Sequence, residues 1–245
     1  MECFIVRESD IDLGLKSLTL RGDEARHAVR VLRISEGEQL LATTLNGFCY
    51  RSRCSKSGQV SKNEWLCECS IEEILPEFNE PQIDVLLVQG IPQQQSKLEE
   101  IVEKATEIGI RSIVPIYSKR TEKKTINTER LSRIIQTACK QAYRARMPEL
   151  FEVMNFEKAL AKALEEERTI IVLHESTSLE NKLSGVLQKL KGRKIALFIG
   201  PEGGFDEAEI MLAHRDYDAL VASLGPRRLR AETAAVMAVS LALGL

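Results

Sequence analysis

The chain has 245 residues, enough for one large domain or two modest ones, each able to bury a core. A content of 44% hydrophobic and 29% charged residues is that of an ordinary globular protein, and 5% aromatics argues against nucleic-acid recognition by broad base-stacking platforms. The formal net charge of −2 excludes a uniformly basic nucleic-acid binder, but its distribution is uneven.

Residues 1 to about 72 read as short strands with one helix. Strands are predicted at Cys3–Val6, Gln39–Thr44, Phe48–Cys54 and Trp65–Ile71, with Asp23 capping a helix that carries His27 to Leu32. Asn46-Gly47 is a hairpin signal because both residues tolerate positive φ, and Ser55-Lys56-Ser57-Gly58 marks the next turn. Many short strands with one helix suggest a small β-barrel. A linker is expected around Pro76 to Pro81, where the pattern changes.

Beyond it, apolar strands alternate with amphipathic helices. The expected order is strand Ile83–Gln89, a helix ended by Gly109, strand Ile113–Tyr117 and helices Thr128–Tyr143 and Phe156–Glu166. There follow strand Thr169–His174, helix Leu179–Leu190, strand Lys194–Ile199, helix Asp206–His214, strand Ala219–Ser223 and a last helix from about Ala231. This alternation implies an α/β domain with a parallel sheet covered on both faces. The last helix is apolar on nearly all sides, which implies burial against a partner chain as well as its own sheet.

The start, Met1 to Glu8, lacks the flanks and length of a signal peptide, and the apolar run Ala234–Leu245 is too short to cross a bilayer. A cytoplasmic protein with no membrane association is expected. Six cysteines without CxxC spacing, and histidines (His27, His174, His214) far apart in sequence, are expected to form reduced core thiols and no metal site.

Ligands of open parallel sheets bind beyond the carboxyl ends of the strands. Three such ends carry unusual residues: Leu173-His174-Glu175, Gly200-Pro201-Glu202-Gly203-Gly204-Phe205, and Ser223-Leu224-Gly225-Pro226. The glycine loop lets main-chain groups approach a ligand, yet it is neither a P-loop nor a GxGxxG turn, so a nucleoside triphosphate or NAD is disfavoured. Read alone, it is equally a tight strand-to-helix turn. In the stretch from Leu224 to Ala234, Arg227, Arg228 and Arg230 precede the last helix, where Glu232 suits the helix dipole and could pair with Arg230. From Ser118 to Pro148 nine Lys or Arg face two acids, and Arg130, Arg133, Lys140 and Arg144 fall within roughly 80° on one helix face, as phosphate contact requires.

Together these stretches resemble the RsmE family, the uracil-N3 methyltransferases of small-subunit ribosomal RNA in the SPOUT class. The likeness rests on Arg21-Gly22-Asp23, His27 to Arg33 and Glu36-Gly37, then Lys104 to Gly109, Gln141, Arg144 and Pro148. Gly200-Pro201-Glu202-Gly203-Gly204, and Leu224-Gly225 through Leu229-Arg230-Ala231-Glu232-Thr233-Ala234, complete it. Arg228 departs from the apolar residue common in the family, and Lys140-Gln141-Ala142-Tyr143-Arg144 departs from its usual Glu-Gln-Ser-Gly-Arg.

The resemblance implies a PUA-like β-barrel over residues 1–74 that docks RNA and a SPOUT α/β trefoil-knot methyltransferase domain over 75–245. It also implies a homodimer whose substrate is 16S ribosomal RNA or the small ribosomal subunit. S-adenosylmethionine is expected on Leu173, Glu175, Ile199, Gly200, Pro201, Gly203, Ser223, Leu224, Gly225 and Leu229. Arg230 and Glu232 are the expected catalytic residues, and Arg26, Arg30, Arg33, Lys140 and Arg144 the expected RNA contacts. A ribose 2′-O-methyltransferase of the same class and a non-catalytic RNA-binding assembly factor remain alternatives.

Overall fold

Short strands of alternating polarity build the amino-terminal part much as expected. In the computed structural model, which describes residues 1–62, 64–122, 125–175 and 181–245, they are β1 (Cys3–Ile5), β2 (Ile11–Asp12), β3 (Ser17–Arg21), β4 (Gln39–Thr43), β5 (Phe48–Ser61) and β6 (Glu64–Pro76). They form one sheet in the order β1-β4-β5-β6-β3-β2. Its apolar side closes with Ala25 and Ala28 over a core of Phe4, Leu18, Leu20, Leu40, Ala42, Cys54, Cys67 and Cys69. Cys67 and Cys69 share one strand face, and all six cysteines are buried free thiols.

Three local expectations are corrected. Ser55 to Gly58 is no turn: β5 runs through it with register shifts, and the Ser57 hydroxyl donates to the Ile34 carbonyl at 2.9 Å, holding the bulged strand. Positive φ in the β4–β5 hairpin falls on Leu45 and Gly47 (59° and 110°) and not on Asn46, whose backbone bridges to Arg146 and whose side chain bonds Thr44 and Glu8. Asp23 is not a cap, because α1 (Gly22–Arg26) starts from Arg21 without a side-chain cap and continues into a π-turn over His27–Val31.

The boundary expected between residues 74 and 75 falls inside β6, whose pairing with β5 runs on to Pro76. The described residues divide after Glu80, and Cys139–Met147 belongs with the first unit. Buried charge explains the second point. Arg144, 2% exposed, pairs with Glu80 at 2.6 Å, and Arg146 and Lys140 pair with Glu77 and Glu24. Long-range ion pairs of this kind leave no local trace in a sequence.

The second unit, Pro81–Ala138 with Pro148–Leu245, is the anticipated α/β layer structure. Its strands are β7 (Asp84–Gly90), β8 (Ser112–Tyr117), β9 (Glu149–Leu150), β10 (Met154–Asn155), β11 (Thr169–Leu173), β12 (Lys194–Ile199) and β13 (Leu220–Ala222). All pair parallel in the order β10-β8-β7-β12-β11-β13, with β9 alongside β8. Near-continuous apolar runs such as Val85–Val88 are buried on both faces, as parallel strands require.

The helices are α2 (Gln95–Ile108), α3 (Thr128–Gln141), α4 (Phe156–Glu165), α5 (Leu183–Lys189), α6 (Glu207–Asp216) and α7 (Ala231–Leu243). α3 runs across the division between the units. Helix α4 packs on one face of the sheet, with Phe156 and Leu160 in the core, while α2 and α7 pack together and α7 contacts β7 and β12. Gly109 ends α2 in a left-handed cap (φ 117°), where a Cβ would lie 2.5 Å from Pro81. Part of the helix expected from Leu179, Leu179 itself with Glu180, lies outside the described residues.

Candidate active site

Because β13, β11, β12 and β7 are parallel neighbours, their carboxyl ends open on one side. The three loops singled out in the sequence converge there around a cavity of about 700 Å3. Leu173 and Glu175 come from the β11 end, Ile199, Gly200, Pro201 and Gly203 from the β12 end, and Leu224, Gly225 and Leu229 from the loop after β13. Arg230 and Ala234 line the cavity where α7 begins. Ser223 is the exception among the expected cofactor residues. It is buried beside the cavity wall, and among the described residues its hydroxyl has no hydrogen-bond partner.

The glycine loop is held from both ends. Gly200 approaches the Gly204 backbone so closely that a Cβ would lie 2.8 Å from it, and Gly204 (φ 68°) donates its amide to the Pro201 carbonyl at 2.8 Å. Phe205 then anchors the turn in the core against Phe156, with ring centroids 4.9 Å apart. Asp206 caps α6 in a reciprocal box with Glu209. At the rear of the loop, buried Gln89 donates to the Gly90 carbonyl at 2.9 Å and reaches the Gly200 carbonyl at 3.5 Å.

Glu202 bolts the loop to the segment after β7. Its carboxylate accepts from the Gln93 amide at 3.3 Å and the Lys97 ammonium at 3.2 Å. Burial pushes this carboxyl up, but hydrogen bonds from its own backbone, Lys97 and Gln93 outweigh that, so it stays below the usual carboxylate range. It is therefore an anchor and no proton acceptor at neutral pH.

Gln94, Lys97 and Arg120, which lie outside the three loops marked by the sequence, also line the cavity. Gln94 and Lys97 follow the carboxyl end of β7, and Arg120 that of β8. The strand-end rule points to them once β7 is known to adjoin β12, a pairing that chain order does not reveal. Arg120 donates from Nη1 to the Gly203 carbonyl at 2.8 Å.

Arg230 is exposed at the start of α7, and among the described residues no ion pair joins it to Glu232, contrary to the pairing anticipated. Glu232 instead leaves Oε2 buried without a partner among the described residues. Arg228, the departure from the family pattern, pairs with Glu175 at 3.3 Å across two loops.

The expected RNA contacts fall into two groups. Arg26, Arg30 and Arg33 are exposed along α1 and the π-turn, with no ion pair among the described residues, and His27 beside them stands edge-on to Phe4. Lys140 is tied to Glu24 at 2.8 Å. Arg144 is buried in its pair with Glu80 and presents no guanidinium to solvent, because a desolvated charge must keep its partner. On α3, Arg130 pairs with Glu99 at 2.6 Å and Arg133 stays exposed, so the basic face is partly neutralised. Lys123 and Lys124 of the basic stretch lie outside the described residues.

With this geometry in place, similarity to known proteins becomes informative. A family model described as an RNA methyltransferase domain matches residues 79–243, and one described as an RNA methyltransferase PUA domain matches residues 20–53. The chain belongs to this RNA methyltransferase family, and its α/β domain is of the SPOUT class with a PUA-like unit before it.

Its relatives include the ribosomal RNA small subunit methyltransferase E of Bacillus subtilis, 30% identical over 91% of this chain and 88% of that one. The protein of the same name from Aquifex aeolicus is 31% identical over 91% of this chain and 93% of that one. Among solved structures, Lpg2936 of Legionella pneumophila, solved with bound S-adenosylmethionine, superposes with a TM-score of 0.78 at 26% identity, covering 100% of this chain and 97% of that one.

Proposed function

We propose that the chain transfers the methyl group of S-adenosylmethionine to N3 of a uracil in 16S ribosomal RNA. The observation that carries this reading is the meeting of three strand-end loops around one cavity with Arg230 on its wall. The residues present fit the cofactor. A volume of about 700 Å3 suits a small-molecule site, apolar Leu173, Ile199, Leu224 and Leu229 offer walls to a flat heterocycle, and glycine main chain is left open to polar contact. Ser223 adds a buried hydroxyl in need of a partner.

When bound, the cofactor supplies an electrophilic methyl, so the protein has to align and stabilise more than react. The glycine loop, fixed by Gln89, Glu202 and Phe205, holds its main-chain groups in place before any ligand arrives. As the N3–methyl bond forms and the methyl–sulfur bond breaks, uracil N3 must lose its proton to solvent water, and the charge that develops spreads over the flanking carbonyl oxygens. Arg230, which lines the cavity, is the cation that stabilises it in this reading. Glu232, with one buried oxygen unpartnered, is an acceptor that can orient Arg230 once a nucleobase fills the cavity. Arg26, Arg30 and Arg33 dock the RNA backbone, with Lys140 at the margin.

The protein works in the cytoplasm as a homodimer around α7, where Met237 is 39% exposed and Val236 and Leu241 are only partly covered. Its catalytic domain carries the trefoil knot of its class. Arg230→Ala should lower turnover at least a hundredfold while cofactor affinity changes little; equal losses in both would remove Arg230 from catalysis. Digesting the methylated RNA distinguishes a base from a ribose product, and a methyl on the sugar would overturn the uracil assignment.

A further inference from the structure

We propose that Arg120 and Arg227 form a phosphate subsite at the cavity mouth, which takes the RNA backbone beside the target nucleotide. The inference rests on the reading above and adds a recognition element to it. It starts from charge. Among the described residues, five cations line the cavity (Lys97, Arg120, Arg227, Arg228 and Arg230) against the carboxylates Glu175 and Glu202. Glu202 is engaged by Lys97 at 3.2 Å and Glu175 by Arg228 at 3.3 Å. Among the described residues of the lining, three arginines are left without a carboxylate of the cavity wall as partner.

S-adenosylmethionine does not account for three. Its carboxylate and ammonium cancel and its sulfonium is positive, so the cofactor calls for little added cationic charge. Arg230 answers the charge that develops on the base. The remaining two call for a second, anionic ligand, and the phosphate that accompanies every nucleotide is the anion at hand.

Geometry singles out Arg120. Its Nη1 is pinned to the Gly203 carbonyl at 2.8 Å, and its stem lies so close to that glycine that a Cβ there would meet Arg120 Cβ at 3.4 Å. Its other contact, from Nη2 to Asp206 Oδ2, is 3.9 Å long, while Lys119 at 3.2 Å and the Ala208 amide at 3.0 Å hold the other oxygen of that carboxylate. The guanidinium is thus held at Nη1 while 48% of the side chain remains exposed, which leaves N–H groups accessible to an acceptor. A pre-oriented fork loses less freedom on binding than a mobile side chain does. Arg227, exposed on the loop after β13, supplies the second charge.

The test uses full-length protein, S-adenosylmethionine titrated by calorimetry, and a uridine-containing RNA hairpin titrated at several salt concentrations. For Arg120→Gln and Arg227→Gln, the slope of log affinity against log salt should fall by about 0.7–0.9 per residue and KM for RNA should rise about tenfold, with a smaller change in cofactor affinity. Arg120→Lys keeps the charge and should restore the slope. An unchanged slope in both Gln variants overturns the subsite. So does a loss confined to cofactor affinity, which would make Arg120 a brace for the glycine loop alone. Wild-type protein that failed to bind the cofactor would instead overturn the methyltransferase reading.

Discussion

Arg144 and Gly200 illustrate opposite relations between a residue and its signal. Arg144 sits in a family-like motif and on a basic helix face, and both cues suggest contact with RNA. Burial decides otherwise, since its guanidinium is spent on Glu80. Removing one partner of a buried pair strands the other, so Arg144→Ala should cost about 3–5 kcal/mol of stability, measurable by urea denaturation. A variant of wild-type stability with weakened RNA binding would return Arg144 to the surface role. Gly200 was legible, because a glycine at a strand end announces close backbone approach. Gly200→Ala should cost about 1–3 kcal/mol from the clash with Gly204 and lower cofactor affinity at least tenfold by calorimetry. Wild-type affinity would mean that the loop tolerates repositioning.

At the scale of elements, the second unit was the more readable. Its helices repeat apolar residues at a period the chain must satisfy to cover a sheet, and Lys194–Ile199 is a strand with the expected limits. The first unit was harder because bulges and left-handed residues break the alternation. Ser55 to Gly58 has the composition of a turn, yet β6 pairs across it. The candidate site was legible where glycine, proline and arginine are crowded at strand ends. Lys97 and Arg120 escaped because their place depends on which strands are neighbours. On α1 and the π-turn, Arg26→Gln with Arg30→Gln should reduce the salt slope of RNA binding by about two units together, leaving cofactor affinity intact. A slope equal to wild type would rule out docking through this element.

For the molecule as a whole, the buried thiols set a limit at high pH. Burial is the largest cause raising Cys3 and Cys139, both to about 12, and Cys54, to about 11. In the unfolded chain these groups ionise near 9.0. Their contribution to stability is therefore complete below pH 9 and is lost as pH rises toward 12, because only the unfolded state readily releases the protons. Urea midpoints should fall from pH 9 upward, and Cys3→Ala should flatten the fall. A midpoint independent of pH over this range would show that the thiols ionise as easily folded as unfolded.

The membership of Cys139–Met147 in the first unit also constrains how the protein is made. Carboxylates of Glu77 and Glu80 are synthesised long before the arginines that neutralise them. During translation the amino-terminal sheet emerges before the segment that carries these arginines, which is encoded in the middle of the gene. Cutting the chain at a seemingly natural linker would thus yield a fragment lacking its own counter-ions, and a nascent polypeptide stalled before that point should be a substrate for chaperones.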